Sequence, residues 1–413
     1  MSQPLAPTEH FERRDGSIER QIRLGETIVG RSALPVAAEG APDPHDLAAA
    51  HDQAWLRLPT APSLAPGAAP VRVVDLFSGC GALSLGAAEA CRALGKRFEP
   101  VLAVDIEAWA VQTYGRNFPG GQAVQDSVLS FLGPDGLRAD TLGRLTGGVD
   151  LLIGGPPCQG HSDLNNHTRR DDPKNELYNS MARFAAVLEP RWILIENVPG
   201  AQHDRSGVVQ RTWKQLGAMG YRLAGGVLEG VDIGVPQRRR RYFMLASRDR
   251  QPPAVATIQA ALQQPPRPLS WAVADLLDAP VSADAYDSPS THHPRNQRRI
   301  AYLFQHQLHD LPDPQRPACH RDKPHSYKSV YGRMHWDKPA QTITTGFGSC
   351  GQGRFVHSQR QRTLTPHEAA RVQFIPDHFG FGPQRRGALQ AMIGNAVPPR
   401  MAYALCLALM AGA

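Results

Sequence analysis

An α/β protein is predicted, with a doubly wound, mostly parallel sheet and a second, smaller and irregular domain. Three observations point to it. Between Val71 and Ser247, strand-like and helix-like segments alternate, the pattern of a sheet covered by helices on both faces. The strand segments are continuous apolar runs, as burial on both faces requires. After Arg248 the alternation stops, and Pro, His, Gln and Arg dominate up to Gln361.

Taken in order, residues 1–70 are polar, then rich in Ala and Pro; they read as an appended arm of undisclosed role, with a short helix expected near Ile18 to Leu24. The sheet opens with the β-branched run VRVVDLF, followed by GALSLGAAEACRALG with helical spacing. PVLAVDI, VDLLIGG, RWILIEN and RRYFMLAS are the further strands, with EAWAVQTYGRNF, ELYNSMARFAAVLE and VVQRTWKQLGAMG as the helices among them. Residues 71–250 are thus expected as one domain and 251–361 as another. Order returns at LTPHEAARVQF, where Thr365 is a good N-cap and Glu368 stands at the capping-box spacing. A last helix follows Pro398 and Pro399, and residues 362–413 are expected to return to the first domain.

The 413 residues carry a formal net charge of +7, unevenly placed. Residues 1–200 hold 18 basic and 24 acidic groups; residues 201–413 hold 27 and 14. A basic half suggests a polyanionic partner, because Lys and Arg neutralise phosphates; a merely solvated basic surface is the plainer alternative. The six cysteines form no CxxC pair and no zinc spacing. No metal is expected, and reduced thiols suit a cytoplasmic protein. The N-terminus lacks the apolar core of a signal peptide, and the longest apolar run, Met401 to Ala413, is shorter than the roughly 20 residues that span a bilayer.

Five places carry chemistry. In DLFSGCGALSLG, glycines surround a tight strand-to-helix turn, where open α/β sheets bind nucleotides. The next strand ends in Asp105, placed to hold a ribose diol; together the two indicate a nucleoside cofactor, although FxGxG is not the dinucleotide fingerprint. VDLLIGG runs into PPCQGHS, whose prolines would hold the Cys158 thiol in one position for covalent catalysis; a buried structural cysteine is the alternative. RWILIENVPG places Glu196 at the same edge, an acid that is costly to bury without a partner and so a candidate proton donor or substrate clamp. In VPQRRRRYF, Gln237, Arg239 and Arg241 share one strand face and Arg238 and Arg240 the other. The arginines could orient Glu196 or the substrate, bind phosphate, or simply face solvent.

Together these motifs resemble the DNA (cytosine-5) methyltransferases, in that family's order: DLFSGCG, Asp105, Asp126 in VQDS, GPPCQGHS, ENV, QxRxR, a variable lobe, RTLTPHEAARVQFIPDHF and GNAVP. The resemblance runs from Val71 to the C-terminus and implies the Rossmann-like sheet of S-adenosylmethionine-dependent methyltransferases, with 71–250 as catalytic and cofactor-binding domain and 251–361 as target-recognition domain. It implies S-adenosylmethionine contacts at Asp75, Phe77, Ser78, Gly79, Cys80, Gly81, Asp105, Ile106, Asp126, Pro157, Leu177, Asn395 and Val397. Phe77, Gly79 and Gly81 would cradle methionine and ribose, Asp105 the ribose hydroxyls and Asp126 the adenine amino group. Cys158 is similar to the family nucleophile and Glu196 to the ENV glutamate; Arg239 and Arg241, with Gln237, would support the flipped base and the glutamate.

Methyl transfer to carbon 5 of cytosine in a specific double-stranded DNA sequence follows from the resemblance, with Gln159, Ser162, Arg238 and Arg240 expected at the DNA. Arg295, Arg298 and Arg299 are phosphate candidates on charge alone. Tyr327, Tyr331 and Trp336 are expected to pack the lobe's small core, and its histidines to be solvated or DNA-facing. His161 stands where Phe is common and Ala396 where Ser is usual. Two alternatives remain: a DNA-binding paralogue without activity, against which the intact Cys158 and Glu196 speak, and an RNA cytosine-5 methyltransferase, against which the missing Cys-Phe-Thr triplet speaks. A monomer is expected, within a restriction-modification system or alone, with a cognate restriction endonuclease as one option for a neighbour.

Overall fold

The computed structural model describes residues 4–36, 46–63, 67–133, 136–137, 145, 148–157, 177–203, 207–278, 282–321 and 329–412. Seven strands form the main sheet: β4 (Pro70–Leu76), β5 (Arg97–Asp105), β6 (Gln122–Gln125), β7 (Leu151–Gly154), β8 (Trp192–Asn197), β9 (Arg222–Glu229) and β10 (Arg240–Ser247). Their order is β9-β10-β8-β7-β4-β5-β6. β10 runs antiparallel to β8 and β9, while the other pairings are parallel. β10 follows β9 without a crossover helix, and a direct connection of that kind joins antiparallel neighbours.

Two strands of this sheet escaped the apolar-run criterion. β6 is four residues long and partly polar, and β9 is interrupted by Gly225 and Gly226. A Cβ at Gly225 would come within 2.9 Å of both Trp213 and Tyr242, so the glycine is required by packing.

α2 (Ala82–Ala93), α3 (Ala108–Asn117) and the C-terminal α11 (Pro399–Met410) pack into the core on one face of the sheet. α4 (Leu177–Leu188) and α5 (Val208–Ala218) pack into the core on the other. Every residue of α11 is buried, which explains the uniform apolarity of that tail.

Ile18 to Leu24 is not helical but lies in a strand. β1 (Thr8–Arg14), β2 (Ser17–Leu24) and β3 (Thr27–Pro35) form an antiparallel sheet with β2 in the middle, followed by α1 (Leu47–Arg57). Ile18, Arg20 and Ile22 alternate along β2 and all three are buried, a period of two that decides for strand. Asp15 and Gly16 have φ of 38° and 76°, the left-handed pair that a two-residue hairpin turn needs. Asp46 caps α1 by accepting from the Ala49 N–H at 2.8 Å, and Trp55 stacks on Phe374 at 5.5 Å.

Residues 251–361 pack in two places. α6 (Val255–Ala261) and α7 (Leu269–Val273) bury Val255, Ile258, Leu269 and Val273 in the main core. A separate small core begins near α8 (Pro294–Gln305) and holds Ile300, Leu303, Leu311, Tyr331, Cys350 and Val356. Trp336 packs on the main core instead; Tyr327 lies outside the described residues. Thr365 and Glu368 form the full capping box of α9 (Pro366–Val372), and α10 (Arg386–Asn395) leads to α11.

Candidate active site

The strand order reverses between β4 and β7, and a crevice opens there at the carboxyl ends of the strands. It holds a cavity of about 770 Å³.

At one end is the turn after β4. Phe77, Gly79 and Gly81 have φ of 58°, 53° and 97°, conformations that favour glycine. Phe77, Ser78, Gly79 and Cys80 line the cavity. The Gly79 N–H donates to Asp105 Oδ2 at 2.8 Å and the Glu107 N–H to Asp105 Oδ1 at 3.0 Å, so two backbone donors orient this carboxylate at the cavity wall. The Asp126 N–H donates to the Asp105 carbonyl at 3.0 Å, placing Asp126 beside it at the end of β6. Ile106 lines the same wall and is 66% exposed, apolar surface available to a ligand. Burial pushes the Cys80 thiol up to about 12, leaving it an apolar wall group.

Two residues expected to touch a ligand here do not line the cavity. Asp75 is wholly buried beneath the turn, where it accepts from Ser84 Oγ at 2.7 Å; burial pushes its pKa up to about 8. Gly81 supports packing, since a Cβ would come within 2.5 Å of the Phe118 ring.

At the other end, β7 delivers Gly155, Pro156 and Pro157 to the cavity, and Leu177 enters from the start of α4. Cys158, Gln159 and Ser162 lie outside the described residues. Glu196 ends β8 at 9% exposure, with its Oε1 2.9 Å from Arg241 Nε. Burial raises its pKa and outweighs the lowering by Arg241 and then Arg239. A Cβ at Gly155 would stand 3.1 Å from Glu196 Oε2, so the second glycine of IGG gives the carboxyl its room.

Arg239 and Gln237 stand behind this wall, outside the cavity lining. Arg239 donates to the carbonyls of Ile343 at 2.7 Å and Gly394 at 3.2 Å. Gln237 donates to the Val372 carbonyl at 3.0 Å and accepts from the Ile343 N–H at 3.0 Å. They fasten the segment around residues 343–345, and Arg239 fastens the GNAVP loop, against the sheet. Gly394 is needed there because a Cβ would fall 2.2 Å from the Thr345 nitrogen. Asn395 and Val397 line the cavity.

Arg238 and Arg240 are exposed, and Arg240 pairs with Glu229 at 3.1 Å. Arg295 and Arg298 are exposed on α8. Arg299 is committed to the protein: it bonds the Gln315 carbonyl at 3.1 Å and Asn296 at 2.7 Å, and lies over the Tyr331 ring.

Trp109, Thr345 and Met392 also line the cavity and were not foreseen. Trp109 follows Asp105 by four residues at the start of α3, a detectable signal; Thr345 and Met392 are placed only by tertiary packing. Among the described residues, no three His, Cys, Asp or Glu converge as a metal site.

A family model for C-5 cytosine-specific DNA methylase matches residues 71–411. The Type II methyltransferase M1.BsuMI of Bacillus subtilis is 44% identical over 390 residues, which is 93% of this chain and 90% of that protein. A match of that extent reaches into the first 70 residues. The Type II methyltransferase M1.HphI of Haemophilus parahaemolyticus is 30% identical over 347 residues, 82% of this chain and 86% of its own. Among solved structures, a protein described as a DNA modification methyltransferase encoded within a prophage of E. coli gives a TM-score of 0.57 at 26% identity, covering 82% of this chain and 98% of that one.

Proposed function

The chain belongs to the family of C-5 cytosine-specific DNA methylases and is a DNA cytosine-5 methyltransferase; from that premise we propose how its residues carry the reaction. The methyl donor is S-adenosylmethionine, and the substrate is a cytosine flipped out of a specific double-stranded sequence. The residues present fit the donor. Ser78 Oγ, at the cavity, is buried with no hydrogen-bond partner, and a Cβ built on Gly79 would meet nothing within 4 Å. Asp105 would hold the ribose hydroxyls, Asp126 the adenine amino group, and Ile106 and Trp109 the apolar faces. When bound, the donor supplies a methyl group activated by its sulfonium centre.

Cys158 supplies the nucleophile. Carbon 5 of cytosine is poorly nucleophilic, so the thiolate adds to carbon 6 and makes the ring enamine-like. Glu196, whose pKa burial raises, donates to ring nitrogen 3 and stabilises the charge developing there. Arg241 holds the Glu196 carboxyl in place. Once carbon 5 has taken the methyl group, loss of its proton and elimination of the Cys158 sulfur restore the ring and free the thiolate. The base must leave the stack for this, at a cost of a few kcal/mol.

The observation that carries this reading is that one cavity joins Asp105 and Asp126 to Glu196 and the Pro157 approach to Cys158. The small-core lobe that contains Arg295 and Arg298 would read the sequence, and the enzyme would work as a monomer in the cytoplasm within a Type II restriction-modification system. No helix among the described residues is long and apolar enough to cross a membrane. Bisulfite sequencing of DNA from cells that express the chain tests the reading: protected cytosines should fall in one sequence motif, and unprotected DNA would contradict it.

A further inference from the structure

Residues 4–36 have no place in the proposed reaction, yet they set buried charges against two helices of the main domain. Glu9 on β1 accepts from Arg400 at 3.2 and 2.5 Å and from the Tyr403 hydroxyl at 2.6 Å. Arg400 also donates to the Ile233 carbonyl at 3.2 Å and stands 3.8 Å from Asp52 of α1. Arg20 on β2 lies 3.6 Å from Glu9 and pairs with Glu89 of α2 at 2.7 Å. Both strands are therefore tied to a helix of the main domain, β1 to α11 and β2 to α2.

Both helices begin at the cavity. α2 starts directly after the turn of Ser78 to Gly81, and α11 starts two residues after Val397. The two pack without a gap, since a Cβ at Gly86 would come within 2.2 Å of the Pro399 carbonyl. A buried ion pair contributes little net stability but penalises any arrangement that separates its partners. Without the charge on Glu9, the buried Arg400 and Arg20 each lose one counter-ion, and the first turn of α11 loses its tie to β1.

We propose that Glu9 is a positioning residue for the methyl-donor site: through Arg400 and Tyr403 it sets where Asn395 to Val397 stand relative to the glycine turn. The proposal rests on the reading that this cavity takes S-adenosylmethionine. A purely structural role would weaken all ligands alike, whereas a positioning role separates them.

Calorimetric titration of full-length wild type, Glu9→Gln and Tyr403→Phe with S-adenosylmethionine, beside fluorescence titration with a labelled DNA duplex, tests this. Glu9→Gln should raise the Kd for S-adenosylmethionine about tenfold and Tyr403→Phe about threefold, as small displacements of a preorganised site do, with the duplex Kd changed less than about twofold. Unchanged donor affinity in folded Glu9→Gln, or an equal loss for duplex, overturns the proposal. If Glu9→Gln does not fold, Tyr403→Phe decides by the same two readings. Failure of the wild type to bind S-adenosylmethionine overturns the donor reading, and this proposal with it.

Discussion

The two ends of the cavity are built from different materials. At the glycine turn, Asp105 is aimed by backbone N–H groups of Gly79 and Glu107, and Asp126 is solvent-exposed. At the Glu196 end the carboxyl is buried, paired with Arg241, and raised in pKa by desolvation. Recognition of a diol and an amino group needs only oriented acceptors. Raising the pKa of an acid needs burial, and a buried carboxyl needs a partner such as Arg241 to hold it in place.

If the ends divide the work in this way, substitutions should separate turnover from donor binding. Cys158→Ala gives the largest effect: methyl incorporation from labelled donor is abolished, while calorimetry shows donor binding unchanged. Residual methylation at the wild-type rate would refute the nucleophile. Glu196→Gln should lower kcat about 10²–10³-fold, the range for losing one transition-state hydrogen bond, with the donor Kd unaltered. The pH profile sharpens this. The raised pKa keeps Glu196 protonated to higher pH than an ordinary carboxyl, and the protonated form is lost as pH rises through that pKa; the corresponding alkaline fall in kcat should be absent in Glu196→Gln.

At the opposite end, Asp105→Ala should weaken donor binding roughly 10–100-fold, as removal of hydrogen bonds to a charged group does. Duplex affinity should be unchanged; an equal loss for duplex would break the division. The smallest effect concerns the floor of that end. Burial pushes the Asp75 carboxyl up to about 8 from the ordinary 3.8. Between those values the unfolded chain has released a proton that the native protein keeps, so the native state loses stability as pH rises, until both are ionised. Denaturation midpoints of Asp75→Asn measured from pH 4 to 8 should therefore fall less than those of the wild type.

The same contrast explains what the sequence could reveal. Asp105 and Glu196 end apolar strands, so their place at the sheet edge is legible from local pattern alone. Gln237 and Arg239 are legible as a motif but not as scaffold, because their partners Ile343, Val372 and Gly394 lie more than 100 residues away. The N-terminal sheet was legible in principle: Asp15-Gly16 marks a hairpin, and Ile18, Arg20 and Ile22 alternate. Composition obscured it, since charged residues flank both signals and the buried Arg20 looks solvent-facing until Glu89 is seen beside it. The division of 251–361 was not legible, because short apolar stretches such as Val255 to Ala261 carry no sign of which core they join.

A duplex bearing 5-fluorocytosine in the methylated sequence tests the proposed covalent attack by Cys158 most directly. Fluorine cannot leave carbon 5 as a proton does, so after incubation with S-adenosylmethionine the account predicts a stable protein–DNA adduct, located by mass spectrometry on Cys158. Attachment at another residue, or no adduct on a duplex whose unmodified form is methylated, would contradict it.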